Sequence, residues 1–382
     1  MRVAYVCLDP GVPVFGTKGC SVHSQEVLRQ LVRRGADVTL LCADPGGATP
    51  EDLRSVRVLC LGTPAVRERA VREVALQAAD RALAAVLDSL PPFDLVYERY
   101  SLWGTAGMRY AARTGIPGIL EVNAPLIEEQ ERHRGLVARE EALARAQVVM
   151  SLARSVVCVS EPVAAWVGDV SPGARASVVP NGVDPQRFRP GPEPTGPFTI
   201  GFVGSLKPWH GVDVLVRAVA QVNGVRLRIV GDGPERTSLE RLAVGLGLTE
   251  RVEFAGMVSA AALPGELSRL HVGTAPYPTP EGYFSPMKVF EYLAAGLPVV
   301  ASRSGQLPGI ITDGVEGLLT PAGDALALAA ATTRLRSHPE VRGRMRRAAR
   351  HTAQRHTWSS AVDASLDSAG VSLPGIRPVA AV

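Results

Sequence analysis

Short apolar runs alternate with longer amphipathic stretches along almost the whole chain, and the series starts afresh once, after a cluster of prolines. The runs fall at 2–7, 37–42, 56–61, 94–97, 117–122 and 155–159, then at 198–203, 225–230, 251–255, 271–275, 298–301 and 317–319. Strand-length apolar runs separated by helix-length amphipathic ones predict parallel βα units. Between the two series lies 185–197, whose five prolines forbid a regular element and predict a semi-rigid linker. Residues 198–203 then repeat the strand, glycine loop and helix order of residues 1–34. At 382 residues the chain is long for one core. Two doubly wound α/β domains are expected, 1–184 and 198–356. Ligands of such sheets sit at the carboxyl ends of the strands, which places them in a cleft between the domains.

Composition removes several alternatives. A net charge of +4 is too small to argue for nucleic acid, and no basic face interleaved with aromatics accompanies it. Cys7, Cys20, Cys42, Cys60 and Cys158 lack metal-type spacing and read as reduced thiols of a cytoplasmic protein. The chain opens on a strand, without the features of a signal peptide. No apolar stretch approaches the roughly 18 residues that span a bilayer.

Three segments carry chemistry. In Glu281-Gly-Tyr-Phe-Ser-Pro-Met-Lys-Val-Phe-Glu-Tyr-Leu-Ala-Ala-Gly-Leu-Pro298, Ser285 suits an N-cap and Pro286 the first helical position, while Gly296 and Pro298 end the helix. Val289, Phe290, Leu293 and Ala294 form its buried stripe, and Lys288 and Glu291 share another face. A helix N-terminus with a lysine in its first turn suits a phosphate, and a carboxylate one turn on suits two ribose hydroxyls. The plain alternative is a surface helix with an i,i+3 ion pair. In Gly204-Ser-Leu-Lys-Pro-Trp-His-Gly211, backbone N–H groups, Lys207 and His210 bring positive charge to one spot, with Trp209 expected in the core. The loop 10–19 holds Gly11, Gly16 and Gly19, but its Thr17-Lys18 reverses the order of a phosphate-binding Walker A loop, which argues against an ATPase. No GxGxxG occurs there either, which argues against a dinucleotide oxidoreductase.

The string Ser-Pro-Met-Lys-Val-Phe-Glu-Tyr-Leu-Ala-Ala-Gly, with Phe-Val-Gly-Ser-Leu-Lys-Pro-Trp-His-Gly and Pro180-Asn-Gly-Val-Asp184, resembles the family 4 retaining glycosyltransferases of GT-B fold. Val159-Ser-Glu161, Gly231-Asp-Gly-Pro234 and Thr357-Trp358 extend the likeness over nearly the whole chain. The resemblance implies transfer of a sugar from a UDP- or GDP-sugar to an acceptor, with retention and without a metal or other cofactor. It also implies that a closing helix, about 357–370, packs back on the first domain. Glu291 matches the second glutamate of the family's E-x7-E motif, which holds the donor ribose. The first falls at Tyr283, in what looks like a Ser-Pro-x-Lys variant, and Glu281 is the nearest carboxylate to take over the sugar contact. The family's Arg and Lys of the second loop fall at Ser205 and His210, leaving Lys207 and Lys288 for the diphosphate.

Gly256, Met257 and Val258 match the loop that grips the base, and Gly16, Gly19, Gly204, Ser205, Ser285 and Met287 complete the donor set. On the acceptor side Arg99 and Asn123 stand at strand ends, and both can equally be structural pins. His133 lies in a charged stretch, 128–134, that reads as a solvated face. The run Arg342, Arg344, Arg346, Arg347, Arg350 and Arg355 offers weak contact with anionic lipid, though soluble helix surface is the commoner meaning. Two other functions fit the same donor site: a nucleotide-sugar epimerase, and a non-catalytic partner of another transferase.

Overall fold

The computed structural model describes residues 1–62 and 66–373. They form two compact units: Met1–Asn181 together with the residues from Trp358 on, and Gly182–Thr357. In the first unit, β1 (Arg2–Cys7), β2 (Asp37–Cys42), β3 (Arg57–Cys60), β4 (Leu95–Arg99), β5 (Gly118–Val122), β6 (Ser155–Cys158) and β7 (Ala176–Val178) form one sheet in the order β3-β2-β1-β4-β5-β6-β7. In the second, β8 (Phe198–Val203), β9 (Val225–Val230), β10 (Val252–Gly256), β11 (Val272–Ala275), β12 (Val299–Ser302) and β13 (Gly317–Thr320) run β10-β9-β8-β11-β12-β13. Neighbouring strands pair in parallel, so that Tyr5 stands beside Leu40 on one side and Tyr97 on the other. Each expected apolar run is a strand. The edge strand β7 was not legible, because Ala176–Val178 is short and partly exposed and so lacks an apolar run.

Helices cover both faces of the second sheet. Ile200, Phe202, Leu227 and Ile229 enter one core cluster, while Val203, Val230, Ala275 and Ala301 enter another. Alternate residues of one strand thus serve opposite faces, as a fully buried parallel sheet requires. Strand order reverses once in each sheet, between β1 and β4 and between β8 and β11. At such a reversal the crossover helices diverge to opposite faces and leave a crevice beyond the strand ends.

The proline-rich stretch is not a free linker. The unit boundary falls at Asn181/Gly182, and residues 185–197 lie wholly within the second unit. Phe188 is buried in its core. The helix Pro339–Arg355 holds the rest through Arg342 to Glu193 (2.5 Å), Arg346 to the Gly191 carbonyl (2.8 Å) and Arg350 to the Phe188 carbonyl (2.9 Å). Three arginines considered for lipid contact are therefore spent inside the protein, Arg342 being only 7% exposed. Among the described residues no helix is long and apolar enough to cross a membrane.

The helix Trp358–Ser368 belongs to the first unit. Val362 and Leu366 enter a core with Leu28 and Leu31, and Arg34 reaches Asp363 (2.7 Å) and the Ser359 hydroxyl (2.8 Å).

Candidate functional site

The loop that follows β8 turns through the short helix Pro208–His210 to Gly211, which opens the helix Val212–Ala220. Gly211 has φ +63°, and a Cβ there would overlap the carbonyl oxygen of Pro276 in the loop after β11. Only glycine lets these two loops meet, and they meet at the reversal of strand order. Against them the helix Met287–Ala294 ends its approach with Lys288. The lysine Nζ is buried and has no hydrogen-bond partner among the described residues. It lies 4.1 Å from the Phe202 ring centroid and 5.6 Å from that of Tyr277. A Cβ on Gly204 would stand 3.0 Å from it. Burial draws the pKa of Lys288 down to about 7, against the opposing pull of Glu291. Two aromatic faces partly offset the lost hydration of the ammonium, but among the described residues no carboxylate forms an ion pair with it.

His210 joins the same cluster, its ring 5.9 Å from Phe202 and 6.0 Å from Tyr277. Its Nδ1 is 2.5 Å from the Ser205 carbonyl oxygen, which can only accept, so the ring hydrogen sits on Nδ1. Burial and the charge of Lys288 lower its pKa to about 3. His210 is thus neutral, not the positive group expected, and its Nε2 is a hydrogen-bond acceptor. Lys207 is half-buried, with its amino group 5.6 Å from the Trp209 ring centroid. Trp209 itself is 47% exposed and not core, because the short Pro208–His210 turn carries it outward.

The other positions expected on the donor side from residue 231 to 292 lie in the same unit. Glu291 is half-buried one turn beyond Lys288. The helix starts one residue later than expected: Pro286 is extended (ψ 91°), Met287 is the first helical residue and Ser285 lies outside. Tyr292 anchors the helix, its hydroxyl oxygen accepting from the Val203 N–H (2.7 Å). Tyr283 sets its ring at an angle to Phe284, and Phe284 packs 4.4 Å from Tyr277. Glu281 is exposed. At the end of β10, the Gly256 carbonyl accepts from Gly231 (2.8 Å), Met257 is exposed and Val258 is partly buried. Gly231 in turn packs directly on the Gly204 carbonyl.

Gly16 and Gly19 belong to the first unit. Gln25 donates to the Gly16 carbonyl (2.9 Å), and Gly19 opens the helix Gly19–Arg33 with free space where a side chain would stand. Arg99 and Asn123 converge there on one buried carboxylate, that of Glu121, at 3.4 and 2.5 Å. The Tyr97 hydroxyl (2.7 Å) and His23 Nε2 (2.7 Å) approach it too, and His23 Nδ1 meets Asn181 (2.7 Å). Burial alone would raise the Glu121 pKa, but His23, Arg99 and Asn123 bring it down to about 2. This arrangement makes Arg99 and Asn123 pins of the strand ends. Nor is the stretch 128–134 only a solvated face, since Glu129, Gln130 and Arg134 line a cavity. Sequence reasoning missed Phe202, Tyr277, His23 and Glu121, whose partners come from elements distant in the chain.

Residues 17–187 match the family model described as "Glycosyltransferase Family 4", and residues 197–338 match "Glycosyl transferases group 1". A D-inositol 3-phosphate glycosyltransferase of Saccharomonospora viridis is 33% identical over 72% of this chain and 69% of its own length. Sucrose-phosphate synthase of Thermosynechococcus elongatus has the same fold, with a TM-score of 0.77 at 19% identity over 95% of this chain and 96% of its own. Anabaena HepE, solved in complex with UDP, gives 0.73 at 18% identity over 96% and 99%. The chain therefore belongs to glycosyltransferase family 4, an enzyme of GT-B fold whose sugar donor is a nucleotide sugar.

Proposed function

We propose that the second unit holds the diphosphate of a UDP-sugar beyond the ends of β8 and β11, and that the sugar passes to an acceptor hydroxyl with retention of configuration. The observation that carries this reading is the buried, unpartnered ammonium of Lys288 between Phe202 and Tyr277. As the anomeric C–O bond breaks, negative charge grows on the departing diphosphate, and a preorganised cation in a dry site stabilises it there. Lys207 supplies the second, more exposed charge. The neutral His210 offers Nε2 to a sugar hydroxyl. Glu291 takes the ribose hydroxyls, and residues 256–258 carry the base through backbone groups. Glu281 and Tyr283 flank the sugar, while Ser285 and Met287 shape the helix start beside it. UDP is favoured over GDP by the UDP complex of HepE, a protein of the same fold.

Incubating the protein with a panel of UDP- and GDP-sugars and a cell extract, then following nucleotide release and new glycosides by mass spectrometry, tests donor and reaction together. Release of UDP with a matching glycoside is expected. Binding without turnover would support the non-catalytic reading, and free isomerised sugar the epimerase. Glu291→Ala should weaken UDP-sugar binding by about 1.5–3 kcal/mol, the worth of a charged hydrogen-bond acceptor. Unchanged affinity in calorimetry on the folded variant removes Glu291 from the site.

A further inference from the structure

Three cysteines stand in one row across the first sheet. Cys7 on β1 is in register with Cys42 on β2, and Cys42 with Cys60 on β3. Neighbouring strands run about 4.8 Å apart, and residues in register send their side chains to the same face. Cys7, Cys42 and the partly buried Val58 of β3 enter one core with Leu28 and Leu31 of the helix Gly19–Arg33. Cys7 and Cys42 are buried, whereas Cys60, on the edge strand of the sheet, is exposed. All three are free thiols.

The two outer thiols differ in what can reach them. Burial pushes the Cys42 thiol up to about 12, and the neighbouring Cys60 adds to the rise. Cys42 thus stays protonated and out of solvent, and an oxidant meets Cys60 first. The Cys60 Sγ lies 3.5 Å from the carbonyl oxygen of Ala43, the residue next to Cys42. One interstrand spacing between the two Cα atoms falls within the range of about 4.4–6.8 Å that a disulfide bridges. β3 has a neighbouring strand on one side only, so it can close on β2 without tearing a second pairing.

The same sulfur steadies a loop. Ala43 opens the segment after β2, in which the Asp44 carbonyl accepts from the Val14 N–H (3.1 Å) and the Pro45 carbonyl from the Phe15 N–H (2.7 Å). Gly46, at φ +80°, lies so close that a Cβ on it would stand 2.9 Å from the Pro13 side chain. Residues 43–46 therefore carry the loop that holds Gly11 and Gly16, and the Cys60 thiol donates to the first of them.

We propose that Cys42 and Cys60 close a reversible disulfide, and that its closure releases residues 43–46 and, with them, the loop 10–16. The oxidant is a peroxide. The Cys60 sulfur attacks one peroxide oxygen, the O–O bond breaks, and a sulfenic acid and water result. The Cys42 sulfur then attacks the Cys60 sulfur, and the departing hydroxide takes the Cys42 proton as a second water. The two thiols lose two electrons in all, and the peroxide gains them. A dithiol reverses the step by exchange and itself ends as a disulfide. With its hydrogen gone, the Cys60 sulfur no longer donates to the Ala43 carbonyl.

The full-length protein is treated with hydrogen peroxide, alkylated, digested with trypsin and analysed by mass spectrometry without reductant. Cleavage after Arg34, Arg54, Arg57 and Arg67 puts Cys42 and Cys60 on separate peptides, 35–54 and 58–67. These two should appear joined and come apart with dithiothreitol. Hydrogen exchange at the Val14 and Phe15 amides should be about tenfold faster in the oxidised protein and return to its former rate on reduction. Cys60→Ser should show neither the joined peptides nor the faster exchange after the same treatment. Cys42→Ala should stop at the Cys60 sulfenic acid, which dimedone traps. Absence of the joined peptides, or Cys60 joined to any other cysteine, overturns the pairing. Joined peptides with unmoved exchange at Val14 and Phe15 overturn the release of the loop. No sugar donor enters these measurements, so their failure leaves the transferase reading standing, and a failure of transfer leaves the disulfide standing.

Discussion

A buried ammonium without a hydrogen-bond partner destabilises a protein unless it loses its proton or gains an anion. Lys288 goes part of the way along the first course: with its pKa drawn down to about 7 it still carries its proton in about half of the molecules at neutral pH. An arriving diphosphate offers the second and raises that pKa. Below pH 7 the lysine is charged in both states and the affinity for UDP is level in this respect. Between the free and bound pKa values binding takes up a proton, and the affinity falls by up to tenfold per pH unit. Calorimetry at pH 8 in buffers of different ionisation heat should reveal that uptake, and Lys288→Met should abolish it. His210 adds nothing to this window, since it remains neutral down to about pH 3.

Glu121 shows the opposite sign. Its folded pKa of about 2 lies below the ordinary carboxyl value, so its contribution is fully present above about pH 4.5 and is lost as the pH falls towards 2. The shift corresponds to about 3 kcal/mol. Glu121→Gln should lower the stability of the first unit at pH 7 by an amount of that order, and the difference from the parent should shrink in acid-denaturation curves below pH 4. The sequence offered Arg99 and Asn123 as residues at a strand end, but the carboxylate that holds both was legible only as one more residue of β5.

Among the elements, the helix Met287–Ala294 was readable because its apolar stripe has the helical period, and Val289, Phe290, Leu293 and Ala294 are all buried. Its cap was misplaced by one residue, since a proline that suits a helix start suits the preceding extended position as well. The pairing of the loops after β8 and β11 was not readable at all. Periodicity reports which face of an element is buried, and it is silent on which loop another loop touches. Gly211→Ala tests that pairing. The left-handed backbone alone costs about 1–2 kcal/mol, and the methyl group must also push the Pro276 carbonyl away. Loss of UDP binding should exceed loss of thermal stability, because the displaced loops carry His210 and Tyr277. A variant that melts early yet binds UDP normally would show that the contact serves stability alone.

At the scale of the whole molecule, the restart of the strand pattern at 198–203 announced two sheets, and two are present. The prolines misdirected the boundary. They mark a stretch that cannot be helix or strand, but Phe188 and three arginines fasten it within the second unit. The chain passes between units at Asn181/Gly182 and again at Thr357/Trp358. Beside these crossings Val183 pairs with Thr357, and its backbone N–H donates to the His356 carbonyl (2.9 Å).

The second unit is thus an insertion, and the first is completed by residues made after it. A ribosome releases Gly182–Thr357 while the first unit still lacks Trp358, Val362 and Leu366, the apolar stripe of its last helix. Removing Leu366 alone, as Leu366→Ala, should cost that unit about 2–5 kcal/mol. Absence of the whole helix during synthesis should therefore hold it open. Order of synthesis and order of folding cannot coincide: the later-made unit closes first. Nascent chains arrested with residue 357 just outside the exit tunnel should resist protease over 182–357 and be cut within 1–181. Protection of both parts at that length would show that the first unit closes without its final helix.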